Sequence, residues 1–179
     1  PEIAERAKDV MLMARDTADS LYIQPVADLE VNRDQVISLS YALQRGIERQ
    51  FQTEENEVGV WVMGDPQAPN IMIYEASEGS LGILSQLIED PESMKALFRH
   101  ACEAMHFNPE TFEDNQPEWP RATYEDLLSY YNQPHHEILN RHAIQEPLQR
   151  LMQCTIEGIQ GSNDRESHYR RLLELYDKS

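Results

Sequence analysis

Hydrophobic residues recur every three or four positions between residues 33 and 52, and this spacing predicts an amphipathic helix. The apolar stripe of this helix consists of Val36, Leu39, Leu43, Ile47 and Phe51. Asn32 stands just before the stripe and Gln35 follows it by three residues, which is the pattern of a capping box. We therefore expect the helix to begin directly after Asn32.

Two β-rich runs follow at residues 58–63 and 71–74, and a loop rich in glycine and proline separates them at residues 64–70. Runs of this kind, joined by a short loop, predict neighbouring strands. We expect these strands to be antiparallel and to form the centre of the sheet.

The start of the chain fits two patterns. The apolar positions from Ile3 to Leu21 have helical spacing, whereas residues 8–14 also fit a strand that is followed by a polar turn at residues 15–20. Short apolar runs do not decide between these interpretations, so the local pattern leaves both open.

A short helix is expected at residues 83–88, and a second helix after Asp90, which has the residue type of an N-cap and is followed by Pro91. The apolar stripe of the second helix is Met94, Leu97, Phe98, Ala101, Cys102 and Met105. Residues 107–121 then carry three prolines, many acidic side chains and no periodicity, so they predict a long irregular loop.

Helical patterns resume at Thr123, where we expect a helix that holds Leu127, Leu128, Tyr130 and Tyr131 and ends at Asn132 and Gln133. Pro134 is expected to begin the next helix, and Pro147 to break or kink it.

The predicted fold class is α/β (α+β), with a small mixed or antiparallel sheet covered by helices and a C-terminal helical segment. We expect residues 1–157 to form one α/β domain. Residues 158–179 are expected to form a linker and a final helix from Asp164 that continues into a region outside this sequence.

The chain has 179 residues and a formal net charge of −17. A field of this sign repels phosphate backbones, so the chain alone is not expected to hold nucleic acid, and the preferred interpretation of the charge is a solvated surface. Two cysteines and the lack of a secretory segment or a long apolar run indicate a reducing compartment. We expect a cytoplasmic protein with no membrane contact.

Two groups of residues have the chemistry of metal ligands. In the first group, His100, Cys102 and His106 fall on one predicted helix, where Cys102 and His106 are spaced i, i+4. The preferred interpretation is structural, because Cys102 shares its stripe with Phe98 and Met105 and free cysteine is usually buried.

The second group is His135, His136 and His142. Adjacent histidines point in different directions, no cysteine is near them in sequence, and a histidine in a first helical turn more often hydrogen-bonds to a neighbour. We therefore expect no cofactor, with zinc as the less favoured alternative.

The segment from Glu75 to Gly82 lies between a strand and a helix, where α/β proteins build phosphate loops. It lacks the Lys-Ser/Thr of a Walker loop and the spacing of a dinucleotide site, and Glu75 and Glu78 would oppose a phosphate. The two carboxylates leave a metal-dependent nuclease as an alternative. That alternative is less favoured because neither adjoining strand contains a lysine.

The order of these features resembles the MrfA-type zinc-binding domain, a domain of unknown function associated with superfamily-two DEAD/DEAH-like helicases and with phage-defence proteins such as those of the DISARM system. The most specific string is residues 127–141, LLSYYNQPHHEILNR, beside the family pattern Leu-x-Ser-Tyr-x-Asn-Gln-x-x-His-x-x-Leu-Asp-Arg. The acidic glycine loop of the family is similar to residues 74–82, which include Gly79 and Gly82. The start of a strand in the family pattern is similar to residues 9–12. The resemblance extends from about Asp9 to Met152.

The chain departs from the family at the zinc site. Where the family has a four-cysteine cluster, residues 107–126 contain no cysteine, and Thr123 and Asp126 stand near the positions of the last pair. Ser80 replaces the second glycine of the loop, and Asn140 replaces the aspartate before the arginine. The resemblance therefore implies a scaffold that has lost its zinc, with a capped helical clasp pinning the loop. It also favours a strand at residues 8–14.

The resemblance implies a non-catalytic accessory domain of a larger bacterial helicase-like protein in DNA repair or anti-phage defence. Such a domain would dock on the helicase core of the same or a partner chain, and would guide nucleic acid only through the full-length assembly. No GxxxxGK[ST] motif is present, so we expect no enzyme activity from this chain itself. The residues expected in structural or contact roles are Tyr130, Asn132, Gln133, His135, His136 and Arg141.

Two other function classes stay open. One is a stand-alone protein-interaction domain whose acidic surface receives a basic partner or mimics DNA. The other, less favoured, is a metal-dependent nuclease that uses Glu75, Glu78 and the histidines.

Overall fold

A computed structural model describes residues 17–25, 29–77 and 81–156. Within these residues the elements are β1 (Ser20–Ile23), α1 (Arg33–Phe51), β2 (Val58–Asp65), β3 (Ala68–Glu75), α2 (Ile83–Glu89), α3 (Pro91–Ala104) and α4 (Gln145–Gln153). Two short 3-10 helices, Gln133–His135 and His142–Ile144, lie between α3 and α4. The sheet is antiparallel in the order β1-β3-β2. The predicted fold class is confirmed: a small antiparallel sheet with helices, including a C-terminal one.

Helix α1 organises the core, because it packs against the sheet and against α3. The predicted capping box is present: the Asn32 side chain accepts the backbone N–H of Gln35 at 3.0 Å, and the Gln35 side chain accepts the backbone N–H of Asn32 at 3.0 Å. Gly46 faces α3, where an added Cβ would lie 2.9 Å from the carbonyl oxygen of Leu97. A residue without a Cβ therefore lets the two helices approach closely.

Strand β3 is the central strand, and its residues Ile71 and Ile73 are fully buried. The prediction that the two β-rich runs form antiparallel neighbours is confirmed for β2 and β3. The expectation that both lie at the sheet centre is wrong for β2, which is an edge strand among the described residues. The short β1 lies on the other side of β3, so β3 is the one described strand with two neighbours.

The predicted seven-residue loop at residues 64–70 is also wrong. Pairing between the strands continues as far as Asp65 and Ala68, so only two residues form the turn. Gly64 supports this tight turn with a φ of +89°, and the Asp65 side chain accepts the backbone N–H of Gln67 at 2.8 Å. The turn residues therefore allow β2 and β3 to pair beyond the apolar runs that predicted them.

Strand β1 has no counterpart in the sequence-based prediction, which assigned residues 15–20 to a turn. It pairs with β3 from Ser20 opposite Tyr74 to Ile23 opposite Ile71. Four residues are too few for an alternating pattern to stand out. The strand exists because β3 supplies its hydrogen-bonding partner.

Helices α2 and α3 agree with their predictions. The Asp90 side chain accepts the backbone N–H of Glu92 at 3.0 Å, and Pro91 is the first residue of α3. The buried face of α3 consists of the predicted positions Leu97, Phe98, Ala101 and Cys102. Capping and periodicity together were sufficient to locate this helix.

The helices predicted from Thr123 and from Pro134 are wrong. Turns occupy residues 124–127, and the segment around Pro134 is a single 3-10 helix. The physical reason is competition for backbone hydrogen bonds, because short polar side chains here bind the backbone in place of helical partners.

Pro147 does not break a helix. Helix α4 begins at Gln145, so Pro147 lies in its first turn, where a missing backbone N–H removes no intrahelical bond. Pro147 and Leu148 are buried against the core.

Some sequence-based predictions lie outside the described residues. They are the strand at residues 8–14, the loop positions Glu78, Gly79 and Ser80, and the linker and final helix at residues 158–179.

Candidate functional site

Arg141 fastens the irregular loop after α3 to the rest of the fold. Its side chain is fully buried. The Nη1 group donates to the carbonyl oxygen of Met105 at 3.1 Å and to Asp114 Oδ1 at 2.9 Å, and Nη2 donates to the carbonyl oxygen of Gln116. One guanidinium thus ties the end of α3 to two points of the loop.

The pair of Arg141 and Asp114 is a buried salt bridge, since the Asp114 side chain is only 14% exposed. Burial opposes the ionisation of Asp114, but the hydrogen bonds from Arg141 and from the backbone of Gln116, and the positive charges of Arg141 and His142, outweigh it and lower the pKa of Asp114. The guanidinium also lies 5.6 Å from the ring centroid of Phe107, a cation–π distance. The environment therefore favours the charged form of Asp114.

A second polar cluster holds the C-terminal side of the same loop. Asp126 is fully buried, and its carboxylate accepts the backbone N–H of Thr123 at 2.7 Å, the hydroxyl of Thr123 at 2.7 Å and the backbone N–H of Leu127. The Asn132 side chain accepts the backbone N–H of Ser129 at 2.9 Å and donates to the carbonyl oxygen of Leu127 at 2.7 Å. These bonds replace the helix that periodicity predicted.

Helix α1 contributes to this cluster through Arg45, a residue that the sequence did not single out. Arg45 donates to the carbonyl oxygens of Asp126 and Leu128, each at 3.0 Å, and forms ion pairs with Glu48 and Glu55, each at 3.0 Å. No local sequence signal marks it, because its backbone partners are more than 80 residues away in the chain.

The two adjacent histidines have different partners. His136 Nε2 lies 2.9 Å from Asn132 Oδ1 and 3.0 Å from the carbonyl oxygen of Ser129. His135 Nδ1 lies 2.9 Å from the hydroxyl of Tyr41 on α1. Burial, with a smaller contribution from Arg33, lowers the pKa of His135, so this ring is neutral near pH 7.

Tyrosines occupy the solvent side of this segment. Tyr130 and Tyr131 are 75% and 66% exposed, and their rings meet edge to face with centroids 5.7 Å apart. Tyr124 is 68% exposed and packs edge-on against His136 at 5.9 Å. Gln133 is also exposed. The predicted motif therefore separates into a buried polar set, with Asn132 and Arg141, and an outward aromatic set.

The loop after β3 is organised by Glu75, which is 2% exposed. Its carboxylate oxygens accept the backbone N–H groups of Gly82 at 3.0 Å and Leu84 at 2.9 Å, at the start of α2. Gly82 has a φ of +69°, which favours glycine at this position. Glu75 thus caps a helix, and this role accounts for an acidic residue at the end of a buried strand.

The residues of the α3 metal group face different partners. Cys102 is fully buried with its Sγ 3.9 Å from the carbonyl oxygen of Phe107, and burial, with the charge of Glu103, raises its pKa to about 11. His100 Nδ1 lies 3.6 Å from a carboxylate oxygen of Glu103. The His106 ring packs edge-on against Trp119 at 4.7 Å. The three side chains thus have separate partners, and they are not part of any group of three or more His, Cys, Asp or Glu side chains in the described residues that could hold a metal ion.

The positions of the family's last cysteine pair do not supply a metal site either. Thr123 and Asp126 there bind each other and the backbone. Within residues 17–25, 29–77 and 81–156, no three His, Cys, Asp or Glu side chains converge in a way that could hold a metal ion. The residues that the structure describes therefore do not fit a zinc centre.

The resemblance implied a long helix, a strand, an acidic glycine loop and a second helix in that order. Helix α1, strand β3 and helix α2 follow one another in this order, and the loop lies between β3 and α2. Residues 39–108 match the family model of the MrfA Zn-binding domain. The match confirms the resemblance over this range. It covers fewer than half of the residues and ends before the 127–141 string, so the correspondence of that string to the family stays a prediction.

The MrfA Zn-binding domain is a zinc-binding accessory family and is not a known catalytic domain. Searches of curated proteins and of solved structures found no match to this chain. Of the helices in the described residues, none has the length and apolar character needed to span a bilayer.

Proposed function

We propose that this chain is an accessory docking domain of a larger bacterial helicase-like protein in DNA repair or anti-phage defence. The family match supports an accessory role. The observation that carries the docking role is the exposed pair Tyr130 and Tyr131, which projects from a segment that buried polar bonds hold in place. Aromatic side chains on a rigid support are the usual anchors of protein interfaces.

In this proposal, two polar clusters take the place of the family's metal. Arg141 with Asp114 pins the start of the loop, and Asp126 with Asn132 pins its end. A preorganised loop loses little conformational entropy on binding, so the tyrosines can contribute more of their contact energy to affinity. Nucleic acid would be guided only within the full assembly, since the chain carries a net charge of −17.

A nuclease has no support in the described residues. Both oxygens of Glu75 accept backbone N–H groups, and no metal-binding group is present in the part of the chain that the structure describes.

The test is a binding measurement between this chain and a purified superfamily-two helicase core from the same polypeptide or operon. We expect Tyr130→Ala with Tyr131→Ala to weaken binding by at least about tenfold. The melting temperature should stay within about 2 °C, because both side chains are exposed. Tyr22→Ala is the matched control, since Tyr22 is 56% exposed on the sheet.

Absence of binding to the helicase core would refute the proposal. Binding to basic proteins without any helicase core would instead favour a stand-alone acidic interaction domain. Cleavage of DNA with Mg²⁺ or Mn²⁺ would favour the nuclease.

A further inference from the structure

The outer edge of β2 is an open strand edge in the described part of the chain. Strand β2 pairs with β3 alone, and the sheet order leaves its other side without a strand neighbour there. The register runs one-to-one from Val58 opposite Glu75 to Asp65 opposite Ala68, so no bulge interrupts the ladder. The Gln44 side chain donates to the carbonyl oxygen of Val58 at 2.7 Å, but no strand covers the rest of this edge in the described residues. The backbone groups along such an edge can bind another strand.

The sequence of β2 lacks the features that usually protect such an edge. Its eight residues, VGVWVMGD, contain no lysine and no proline. Trp61, in the middle of the strand, is 61% exposed. Long, apolar and unguarded edges are rare in proteins that do not use them for pairing.

A cavity of about 360 Å³ lies beside this edge. It is lined by the polar and aromatic residues Arg33, Tyr41, Trp61 and His135 and by apolar residues of α1 and β2. No carboxylate is among these lining residues, although the chain as a whole has a net charge of −17. The cavity is therefore a local exception to the acidic surface.

Arg33 is the charged group of this cavity. Like Arg121, it forms no ion pair with any residue that the structure describes, whereas Arg45, Arg49, Lys95, Arg99, Arg141 and Arg150 all do. Beside it, Tyr41 and His135 are held together at 2.9 Å. A free guanidinium next to neutral hydrogen-bonding groups is suited to a carboxylate.

We propose that β2 receives an extended segment of a partner protein, which adds as a fourth strand and places one Asp or Glu side chain in the Arg33 cavity. Backbone hydrogen bonds would give the affinity, and the cavity would select the residue, as in other cases of strand addition. The other residues of the segment are neutral or basic, because the field of the domain repels further acids. This proposal goes beyond the docking function proposed above, because it concerns a second surface that does not include Tyr130 and Tyr131.

A second copy of the chain fits this edge less well. Its own β2 would bring Glu57 and Asp65 only at the strand ends, and no acid at the centre. Two copies with a net charge of −17 each also repel one another. Charge complementarity therefore points to a different protein.

The test selects binders to the full chain from a displayed library of random peptides long enough to span β2. We expect the selected peptides to share one Asp or Glu in an alternating apolar pattern. Arg33→Glu and the edge-guarding Trp61→Lys should each weaken their binding by about tenfold or more. Arg121→Glu is the matched control, since Arg121 is an exposed arginine without an ion pair in the described residues and away from the cavity.

Amide hydrogen exchange supplies a second readout. The outward amides of β2 should exchange rapidly in the free chain and become protected when the peptide is added. If these amides are already protected in the free monomer, another part of the chain covers the β2 edge. If the free chain is a dimer and Trp61→Lys makes it monomeric, a second copy of the chain covers the edge. Either result, or selected peptides without an acid, overturns the proposal.

The two binding experiments distinguish failure of the helicase-docking proposal from failure of the β2 proposal. If the helicase core does not bind but the peptides do, the helicase role is wrong and the β2 site stands. If the core binds through Tyr130 and Tyr131 but Arg33→Glu leaves peptide binding unchanged, the β2 site is wrong.

Discussion

Replacing Arg141 by alanine should destabilise the whole domain. The substitution removes the donors to the carbonyl oxygens of Met105 and Gln116 and the charge partner of Asp114, all in a site where the arginine is fully buried. The Asp114 carboxylate, which is 14% exposed in the parent chain, would keep only the backbone N–H of Gln116 at 2.8 Å and His142 Nδ1 at 3.3 Å as partners. Loss of the charge partner of a largely buried group is among the most destabilising effects of a single substitution.

The magnitude follows from the geometry. Breaking a buried ion pair by removing one partner costs about 3–5 kcal/mol of unfolding free energy. At about 2–4 °C per kcal/mol for a domain of this size, the melting temperature should fall by about 6–20 °C. Arg141→Lys should lose most of this stability as well, because an ammonium group cannot reproduce the three contacts of the planar guanidinium.

Urea unfolding measured by fluorescence and by circular dichroism is the suitable assay. The chain has two tryptophans, so Trp61→Phe leaves Trp119 as the reporter. Trp119 lies in the loop that Arg141 pins, with its ring 4.7 Å from the ring of His106. Fluorescence then follows the loop while circular dichroism follows the helices.

The matched control is Arg121→Ala, which makes the same change of charge at an exposed side chain. We expect this control to stay within about 0.5 kcal/mol of the parent chain. Arg141→Met combined with Asp114→Asn should recover part of the loss, since no unpaired charge remains. The reasoning is refuted if Arg141→Ala and Arg121→Ala unfold at the same urea concentration.

Three further predictions follow from other contacts. Gly46→Ala should lower the free energy of unfolding by about 1–3 kcal/mol, because the new Cβ would lie 2.9 Å from the carbonyl oxygen of Leu97. Alanine in place of glycine usually stabilises a helix, so the two effects have opposite signs. Urea unfolding of the variant and the parent chain shows which effect is larger. Asp114 has a lowered pKa, so its contribution to stability is present above its ordinary pKa of 3.8 and is lost as the pH falls through the folded value. Asp114→Asn should therefore flatten the loss of stability below about pH 5, and melting curves at a series of pH values check this. A chelator should leave the melting temperature unchanged, because the described residues hold no metal-binding group; a large fall, with zinc seen by native mass spectrometry, would contradict this.

The secondary structure of the first half of the domain could be predicted where it depends on local signals. Helix α1 followed from its apolar period and from the capping pair Asn32 and Gln35, whose two hydrogen bonds span three residues. Helix α3 followed from Asp90 and Pro91 in the same way. The match of residues 39–108 to a known family covers this same region.

The segment around residues 123–135 shows why local patterns fail. Its apolar spacing favours a helix, but Asp126 and Asn132 bind nearby backbone groups and so compete with helical bonds. Tertiary contacts favour the irregular conformation, because Arg45 on α1 donates hydrogen bonds to two carbonyl oxygens of the segment. A helix would have used such groups internally.

The sequence by itself determined the helix caps, the apolar faces and the pairing of the two long strands, because each depends on residues that are close together in the chain. The absence of cysteine from the loop is read directly from the sequence. Only the tertiary structure decided that β1 joins the sheet, that β2 is an edge, and that Arg141 is buried beside Asp114, 27 residues away in the chain. Contacts at that separation form when packed elements bring distant segments together, and no periodicity records them. The sequence therefore singled out the 127–141 string, and the packing separated its buried side chains from its exposed ones.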